Sequence, residues 1–242
     1  MDKFLDYGKK HAKIIILILI ILCSVYLIYR SVQKYDNIPL IKKKYKEVIL
    51  SKSPKIIYIE NFITAEQAEH LINLADEIKK PSTIDTKDDP YTLSQNVRSS
   101  ESAHLGKARD SIVKQIEDDA CAYVNLNTHH LEPMQVVVYE KGQKFNPHYD
   151  FFSPDSQDIG IRGNRNKTIL VYLNDVEEHF GGATVFPNIG LKIQPKAYSA
   201  IYFENMNGPN VDYNTLHAGE ELKTDEIKKY AINIWFREKE SW

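Results

Sequence analysis

From residue 134 onward the chain is cut into short runs of β-branched and aromatic residues, each closed by Gly, Pro, Asn or Asp. The runs are MQVVVYEKG, KFNPHYDFF, KTILVYLND, GGATVFP, LKIQP, AYSAIYFE and KYAINIWFR. None is long enough for a core helix and no helical period separates them, so a parallel sheet with crossover helices is excluded. What remains is an antiparallel sandwich or barrel.

Helices are confined to the segment before this. TAEQAEHLINLADEIKK opens on Thr64 with Gln67 three residues later, a capping-box pattern, and puts Ala68, Leu71, Ile72, Ala75 and Ile78 on one face. A second helix is expected from about Lys107 to Tyr123, burying Ile112, Val113, Ile116, Ala120 and Tyr123. Residues 80–97 are polar, contain Pro81 and Pro90, and read as a long loop of the kind that is usually functional or disordered. The expected fold is α+β: a double-stranded β-helix, or jelly roll, with supporting N-terminal helices.

The N-terminus is of another kind. Ile14 to Tyr29 reads IIILILIILCSVYLIY, sixteen residues without a charge, with Lys9, Lys10 and Lys13 before it and Arg30 and Lys34 after. As a helix it spans roughly 24 Å, so flanking lysines would have to snorkel to bridge a bilayer. No small-residue cleavage site follows, since Tyr26, Tyr29 and Arg30 are bulky, which favours an uncleaved signal anchor over a signal peptide. The expected organisation is a tail over 1–13, a single-pass transmembrane anchor over 14–30, a basic tether over 31–55 and a catalytic domain over 56–242. Lys42, Lys43, Lys44 and Lys46 lie beyond the run, so charge does not fix its orientation.

Residues 36–242 carry a net charge of -6, which argues against a nucleic-acid partner. Cys23 lies in the apolar run and Cys121 stands alone in the domain, so the domain has no internal disulfide.

In KFNPHYDFF, strand alternation puts Asn146, His148 and Asp150 on one face. His-x-Asp alone is weak, for a surface histidine beside a turn aspartate gives the same tripeptide. A second histidine, His217 in LHAGE, completes two imidazoles and one carboxylate, the set that leaves adjacent positions open on Fe(II). Structural zinc would need four ligands, usually with thiolates. In KKYAINIWFR, alternation separates Lys229, Ala231, Asn233 and Trp235 from Tyr230, Ile232, Ile234 and Phe236. Lys229 is either an exposed strand end or a buried ammonium, and a buried ammonium needs an anion.

VVVYEKGQKFNPHYDFF, GGATVFPNIG and LHAGEELKTDEIKKYAINIWF together resemble the prolyl 4-hydroxylases, Fe(II)- and 2-oxoglutarate-dependent dioxygenases. The likeness is to their small single-domain forms in plants, green algae and large DNA viruses, and covers roughly residues 55–240. Among these, the length and the N-terminal apolar run are most similar to the viral forms. The resemblance implies His148, Asp150 and His217 as iron ligands, and Lys229 as partner of the distal carboxylate of 2-oxoglutarate. It implies hydrogen bonds to that carboxylate from Tyr139 and Thr184, and a peptide groove lined by Arg98, Ser99, Ser100, Glu132, Arg165 and Trp235. Read from the residues alone, Trp235 could equally be a core aromatic and Arg165 a solvated loop residue. The implied reaction converts 2-oxoglutarate and dioxygen to succinate and CO2 while hydroxylating C4 of a peptidyl proline, with ascorbate as auxiliary reductant. The expected partner is a proline-rich or collagen-like chain in extended form, met by a monomer anchored in the endoplasmic reticulum membrane with its domain in the lumen. Two other readings stand beside this: a related dioxygenase with another target, against which Lys229 speaks because lysyl hydroxylases and nucleic-acid demethylases typically use arginine there, and a non-catalytic jelly-roll binding module.

Overall fold

In the computed structural model, residues 18, 20–26, 45–83, 96–153 and 156–240 are described. The chain divides into two compact units, Met1–Ile41 and Lys42–Trp242. Of the first unit, residues 18 and 20–26 are helical and exposed, and Ser24 Oγ donates to the Ile20 carbonyl at 2.8 Å. The rest of the expected anchor lies outside the described residues. Among those residues, no helix is long and apolar enough to cross a membrane.

The second unit is built on fourteen strands: β1 (Lys46–Lys52), β2 (Lys55–Glu60), β3 (Lys80–Pro81), β4 (Glu101–His104), β5 (Gln135–Tyr139), β6 (Phe145–His148), β7 (Arg165–Tyr172), β8 (Thr184–Phe186), β9 (Leu191–Ile193), β10 (Ala200–Glu204), β11 (Met206–Asn207), β12 (Asn210–Val211), β13 (His217–Gly219) and β14 (Lys229–Arg237). Two helices, α1 (Ala65–Ile78) and α2 (Ser111–Val124), precede β5. Eight strands form one antiparallel sheet in the order β1-β2-β10-β7-β14-β5-β4-β3. A second sheet runs β6-β13-β8-β9, and β11 and β12 form a small hairpin. This is the jelly roll with helical support that the strand pattern predicts.

The large sheet is buried on both faces, which is why its strands read VVV, TILVY and AIYF rather than strictly alternating. One face meets the helices through Val136, Val138, Ile169, Val171, Ile232, Ile234 and Phe236, packed against Leu71, Ala75, Val113 and Ile116. The other face, with Val137, Tyr139, Tyr172, Ile201, Phe203 and Ala231, meets Phe186 and Ile193 of the small sheet. Each such aliphatic or aromatic side chain contributes roughly 1.5–3 kcal/mol on full burial. The two periodicities of the sheet therefore build two cores, and the second surrounds the site.

α1 begins as expected: Gln67 N–H donates to Thr64 Oγ1 and Thr64 N–H donates to Gln67 Oε1, completing the capping box. α2 starts four residues later than the pattern predicts. The Asp110 carboxylate accepts from the N–H groups of Ile112 and Val113 and fixes the N-terminus there, while Ala108 takes φ +47° in the preceding turn.

A larger correction concerns the expected tether over 31–55. Residues 46–52 are not a solvated linker but β1, paired with β2 from Lys46↔Glu60 to Lys52↔Lys55. Of the lysines that suggested a tether, Lys46 and Lys52 belong to an edge strand whose outward side chains face water, and Lys42, Lys43 and Lys44 lie outside the described residues. Charge is the ordinary protection of such an edge, and Lys46 pairs with Glu60 at 2.8 Å. The described part of the domain thus reaches back to residue 45, eleven residues before the expected boundary at 56. The Asp85, Asp88 and Asp89 run of the first long loop lies outside the described residues.

Candidate active site

β6 and β13 are antiparallel neighbours, and their register pairs His148 directly with His217. Directly paired residues project to the same face, so two histidines 69 positions apart meet with ring centroids 4.3 Å apart. β6 stops at His148, and Asp150 follows on a bend rather than in the strand. The bend still delivers its carboxylate: Oδ1 lies 3.9 Å from His148 Nε2 and 3.7 Å from His217 Nε2. One ligand atom from each of the three residues falls within 4.8 Å of the others.

The backbone fixes the tautomers. His148 Nδ1 lies 2.9 Å from the Asn146 carbonyl and His217 Nδ1 2.9 Å from the Thr215 carbonyl. A carbonyl can only accept, so both Nδ1 atoms carry hydrogen and both Nε2 lone pairs are free for a metal. Burial, reinforced by His217, pushes His148 down to about 3, so it stays neutral and able to ligate near pH 7. Burial would raise Asp150, but His217, His148 and the Thr168 hydroxyl outweigh it and keep the carboxylate ionised. Phe145 stacks on His148 with centroids 3.5 Å apart, and Phe186 and Phe203 flank His217. Two imidazoles and one carboxylate oxygen, with no cysteine joining the cluster among the described residues, suit a divalent iron centre with open positions and not a closed structural zinc.

Lys229 opens β14 on the face toward the second core, as alternation predicts, and its Cα pairs with Tyr139. It is 3 % exposed. Its Nζ donates to the Gly182 carbonyl at 2.7 Å and lies 5.0 and 5.9 Å from the ring centroids of Tyr139 and Tyr172. The preceding Gly181, at φ +72°, admits no side chain, because a Cβ would lie 2.4 Å from the Glu221 carbonyl oxygen. Among the described residues no carboxylate lies within ion-pair distance of Nζ. Burial pushes Lys229 down to about 8, with Glu220 weakly opposing. Tyr172 hydroxyl donates to Thr184 Oγ1 at 2.8 Å, so Tyr139, Thr184 and Lys229 form one polar wall of an otherwise apolar interior. Tyr172 escaped the sequence reading. Its only signal was its place at the end of TILVY, two residues beyond Leu170 on the inward face.

The expected groove residues fall into two groups. Arg165 grips Glu132 bidentately, at 3.0 and 2.8 Å, and its guanidinium lies 3.9 Å from the Trp235 ring and 4.6 Å from Phe152. Its Nη1 also donates to the Asp150 carbonyl at 3.4 Å, which sets this cluster against the triad. Arg237 shares Glu132 at 3.2 Å and stacks on the same Phe152. Neither Phe152 nor Arg237 was legible, since no local pattern ties them to Glu132. Despite burial, Arg165 and Arg237 hold the Glu132 carboxyl below its ordinary range.

Arg98, Ser99 and Ser100 form the other group, and here the expected groove lining is an interior network. Arg98 is buried and donates to Ser100 Oγ, Ser102 Oγ and Gln135 Oε1 at 3.1, 3.2 and 3.1 Å. Ser99 exchanges hydrogen bonds with Lys144, and Ser100 reaches the Tyr139 hydroxyl. A fork so fully engaged supports the pocket floor and presents little to a peptide.

Residues 134–237 match the 2OG-Fe(II) oxygenase superfamily. Probable prolyl 4-hydroxylase 7 of Arabidopsis thaliana is 31% identical over 210 residues, covering 78% of this chain and 65% of that one. Probable prolyl 4-hydroxylase 3 is 34% identical over 191 residues (71% and 66%), and probable prolyl 4-hydroxylase 10 is 33% identical over 209 (78% and 71%). The chain thus spans about two thirds of the length of the curated relatives it matches. Among solved structures, the viral collagen prolyl hydroxylase vCPH of Paramecium Bursaria Chlorella virus-1, in its 2OG complex, superposes with a TM-score of 0.59 at 27% identity, covering 75% of this chain and 95% of that one. A Pseudomonas putida prolyl-4-hydroxylase, 16% identical with a TM-score of 0.52 over 75% and 91% of the two chains, agrees in fold.

Proposed function

Since the chain belongs to the prolyl 4-hydroxylase family of the 2OG-Fe(II) oxygenase superfamily, we propose that it hydroxylates peptidyl proline at C4 in proline-rich or collagen-like sequences. The observation that carries this reading is Lys229, a buried ammonium with no carboxylate partner among the described residues, beside a cluster of two imidazoles and one carboxylate. An unpaired charge of this kind costs several kcal/mol and is tolerated where an anionic ligand completes it.

In this reading His148, Asp150 and His217 hold Fe(II) through His148 Nε2, His217 Nε2 and Asp150 Oδ1. Lys229, with the hydroxyls of Tyr139 and Thr184, binds the far carboxylate of 2-oxoglutarate. Fe(II) with 2-oxoglutarate supplies the oxidising chemistry, consuming dioxygen and releasing succinate and CO2, and ascorbate keeps the iron ferrous. The chain itself contributes placement and dryness. Phe145, Phe186 and Phe203 around the histidines exclude water, and the stacked Trp235, Arg165 and Phe152 offer the flat aromatic surface that an extended, preorganised polyproline segment fits. The apolar run over 14–30 supports a membrane anchor with the domain in the endoplasmic reticulum lumen. The completeness of the site within one chain supports a monomer.

The test is mass spectrometry of proline-rich peptides incubated with the full chain, Fe(II), 2-oxoglutarate and ascorbate. The expected result is one added oxygen atom on proline, matched by succinate. Succinate without proline oxidation would point to another target, and no conversion of 2-oxoglutarate would exclude the dioxygenase.

Arg165→Ala separates the peptide from the cosubstrate. Glu132 keeps Arg237 as partner, so the fold should persist. Peptide turnover should fall at least about tenfold, the effect of losing a well-placed cationic contact, while slow peptide-independent decarboxylation of 2-oxoglutarate stays near wild type. Parallel loss of both activities would assign Arg165 to supporting Asp150 instead.

A further inference from the structure

Thr168, the cross-strand partner of Trp235 on β7, and Asn205 are both fully buried. Thr168 directly precedes the aliphatic run Ile169, Leu170 and Val171 on β7. A hydroxyl and a carboxamide are unfavourable in such an interior unless their hydrogen bonds are made. Here the hydroxyl and the amide nitrogen form a directed chain, while the Asn205 carboxamide oxygen is buried without a hydrogen-bond partner. Asn205 Nδ2 donates to Thr168 Oγ1 at 2.9 Å, and Thr168 Oγ1 donates to Asp150 Oδ2 at 2.7 Å. The direction is forced, because an ionised carboxylate only accepts; the hydroxyl proton goes to Asp150 and the threonine oxygen accepts from the amide. The Asn205 backbone is itself tied down, its N–H to the Asn166 carbonyl and its carbonyl to the Asp212 N–H. Asp150 Oδ1, the other oxygen, faces both Nε2 atoms.

We propose that Thr168, backed by Asn205, is a positioning residue that restricts Asp150 to bind the metal through Oδ1 alone, keeping open the coordination position that a chelating cosubstrate needs. This rests on the assignment of His148, Asp150 and His217 as metal ligands. A carboxylate whose second oxygen is free can turn and offer both to a divalent cation. The short charge-assisted bond from Thr168 commits Oδ2 elsewhere. Thr168 is also the third residue of Asn166-Lys167-Thr168, a glycosylation sequon by sequence, but its hydroxyl is committed inside the domain.

The test is titration of the metal-free full chain with Co(II), followed by visible absorption, and then addition of 2-oxoglutarate to the loaded protein. Thr168→Val keeps the shape and removes the hydroxyl, Thr168→Ser keeps the hydroxyl, and Asn205→Leu removes its donor. Thr168→Val should still take up Co(II) without loss of affinity but need about tenfold more 2-oxoglutarate to reach the wild-type spectral change, because the freed Oδ2 competes for the position the cosubstrate needs; the serine variant should stay within about twofold of wild type, and the leucine variant should fall between. Thr168→Val indistinguishable from wild type, or Thr168→Ser as defective as the valine variant, would overturn the proposal. If circular dichroism shows that the valine variant does not fold, Asn205→Leu decides: a weakened response to 2-oxoglutarate supports the proposal and an unchanged response overturns it. Wild-type protein that takes up no Co(II) overturns the ligand assignment, and this proposal with it.

Discussion

His217→Ala is expected to reduce turnover by more than about a hundredfold, beyond the roughly 10–100-fold that loss of an outer-shell partner costs. The reason is the register of β13 on β6. His217 is one of only three side chains whose ligand atoms converge, and no other His, Cys, Asp or Glu among the described residues stands ready to replace it. The variant should remain folded, because the cores on either side are built from aliphatic and aromatic residues that make no use of the imidazole nitrogens. Its ring does pack between Phe186 and Phe203, so some loss of thermal stability is expected from the cavity. Asp150→Asn, which keeps volume and removes charge, is the control that separates metal loss from cavity strain. Initial rates of succinate formation, read with circular dichroism, check the prediction. Retention of more than about a tenth of wild-type activity in a folded His217→Ala protein would sink the triad, because a missing ligand costs more than that.

Lys229→Ala should raise the apparent KM for 2-oxoglutarate at least about tenfold while Co(II) binding stays close to wild type, since the ammonium pairs with the cosubstrate and not with the metal. The same residue sets a pH dependence whose sign follows from its displacement. Folded Lys229 titrates at about 8 against an ordinary 10.5, because burial disfavours its charged form. As pH rises through about 8 the free protein loses the cation, so kcat/KM for 2-oxoglutarate should fall in that range in wild type and be flat in Lys229→Ala. For stability the sign is opposite. Between about 8 and 10.5 the unfolded chain holds a proton that the folded one has released, so this residue's contribution to stability grows with pH there. Lys229→Met, similar in length and uncharged, should therefore raise the Tm of the cosubstrate-free protein near pH 7 and abolish the Tm increase that 2-oxoglutarate gives wild type. An unchanged KM in the alanine variant would mean that the anion is held elsewhere.

Much of the site was legible because its signals are local. Alternation along KFNPHYDFF and KKYAINIWFR put His148 on one face with Asp150 and Lys229 on one face with Ala231 and Trp235, and the capping box placed the start of α1. All three follow from the fixed directions of consecutive side chains on a strand or helix. Alternation says which way a side chain points, but not what stands opposite. That was decided by pairings between distant segments: His217 opposite His148 across β6 and β13, Glu132 shared by Arg165 and Arg237, and Asn205 reaching Thr168 to orient Asp150. The edge strand β1 was misread for the same reason. A lysine-rich segment has no local feature that distinguishes a solvated tether from a protected sheet edge, and only its pairing with β2 makes it a strand. Arg98 shows the converse, a charged residue that the family resemblance placed at the groove and the fold buried, because Ser100 just before β4, Ser102 on β4 and Gln135 on β5 converge on its guanidinium. The sequence by itself determined the strand periods, the capped helix and which residues share a face with His148 and with Lys229, all properties of a few adjacent residues, while the burial of Lys229 came from the fold. Sheet order, strand register and the second layer of hydrogen bonds around Asp150 depend on contacts that exist only once the two sheets have closed on each other, so the tertiary structure alone decided them.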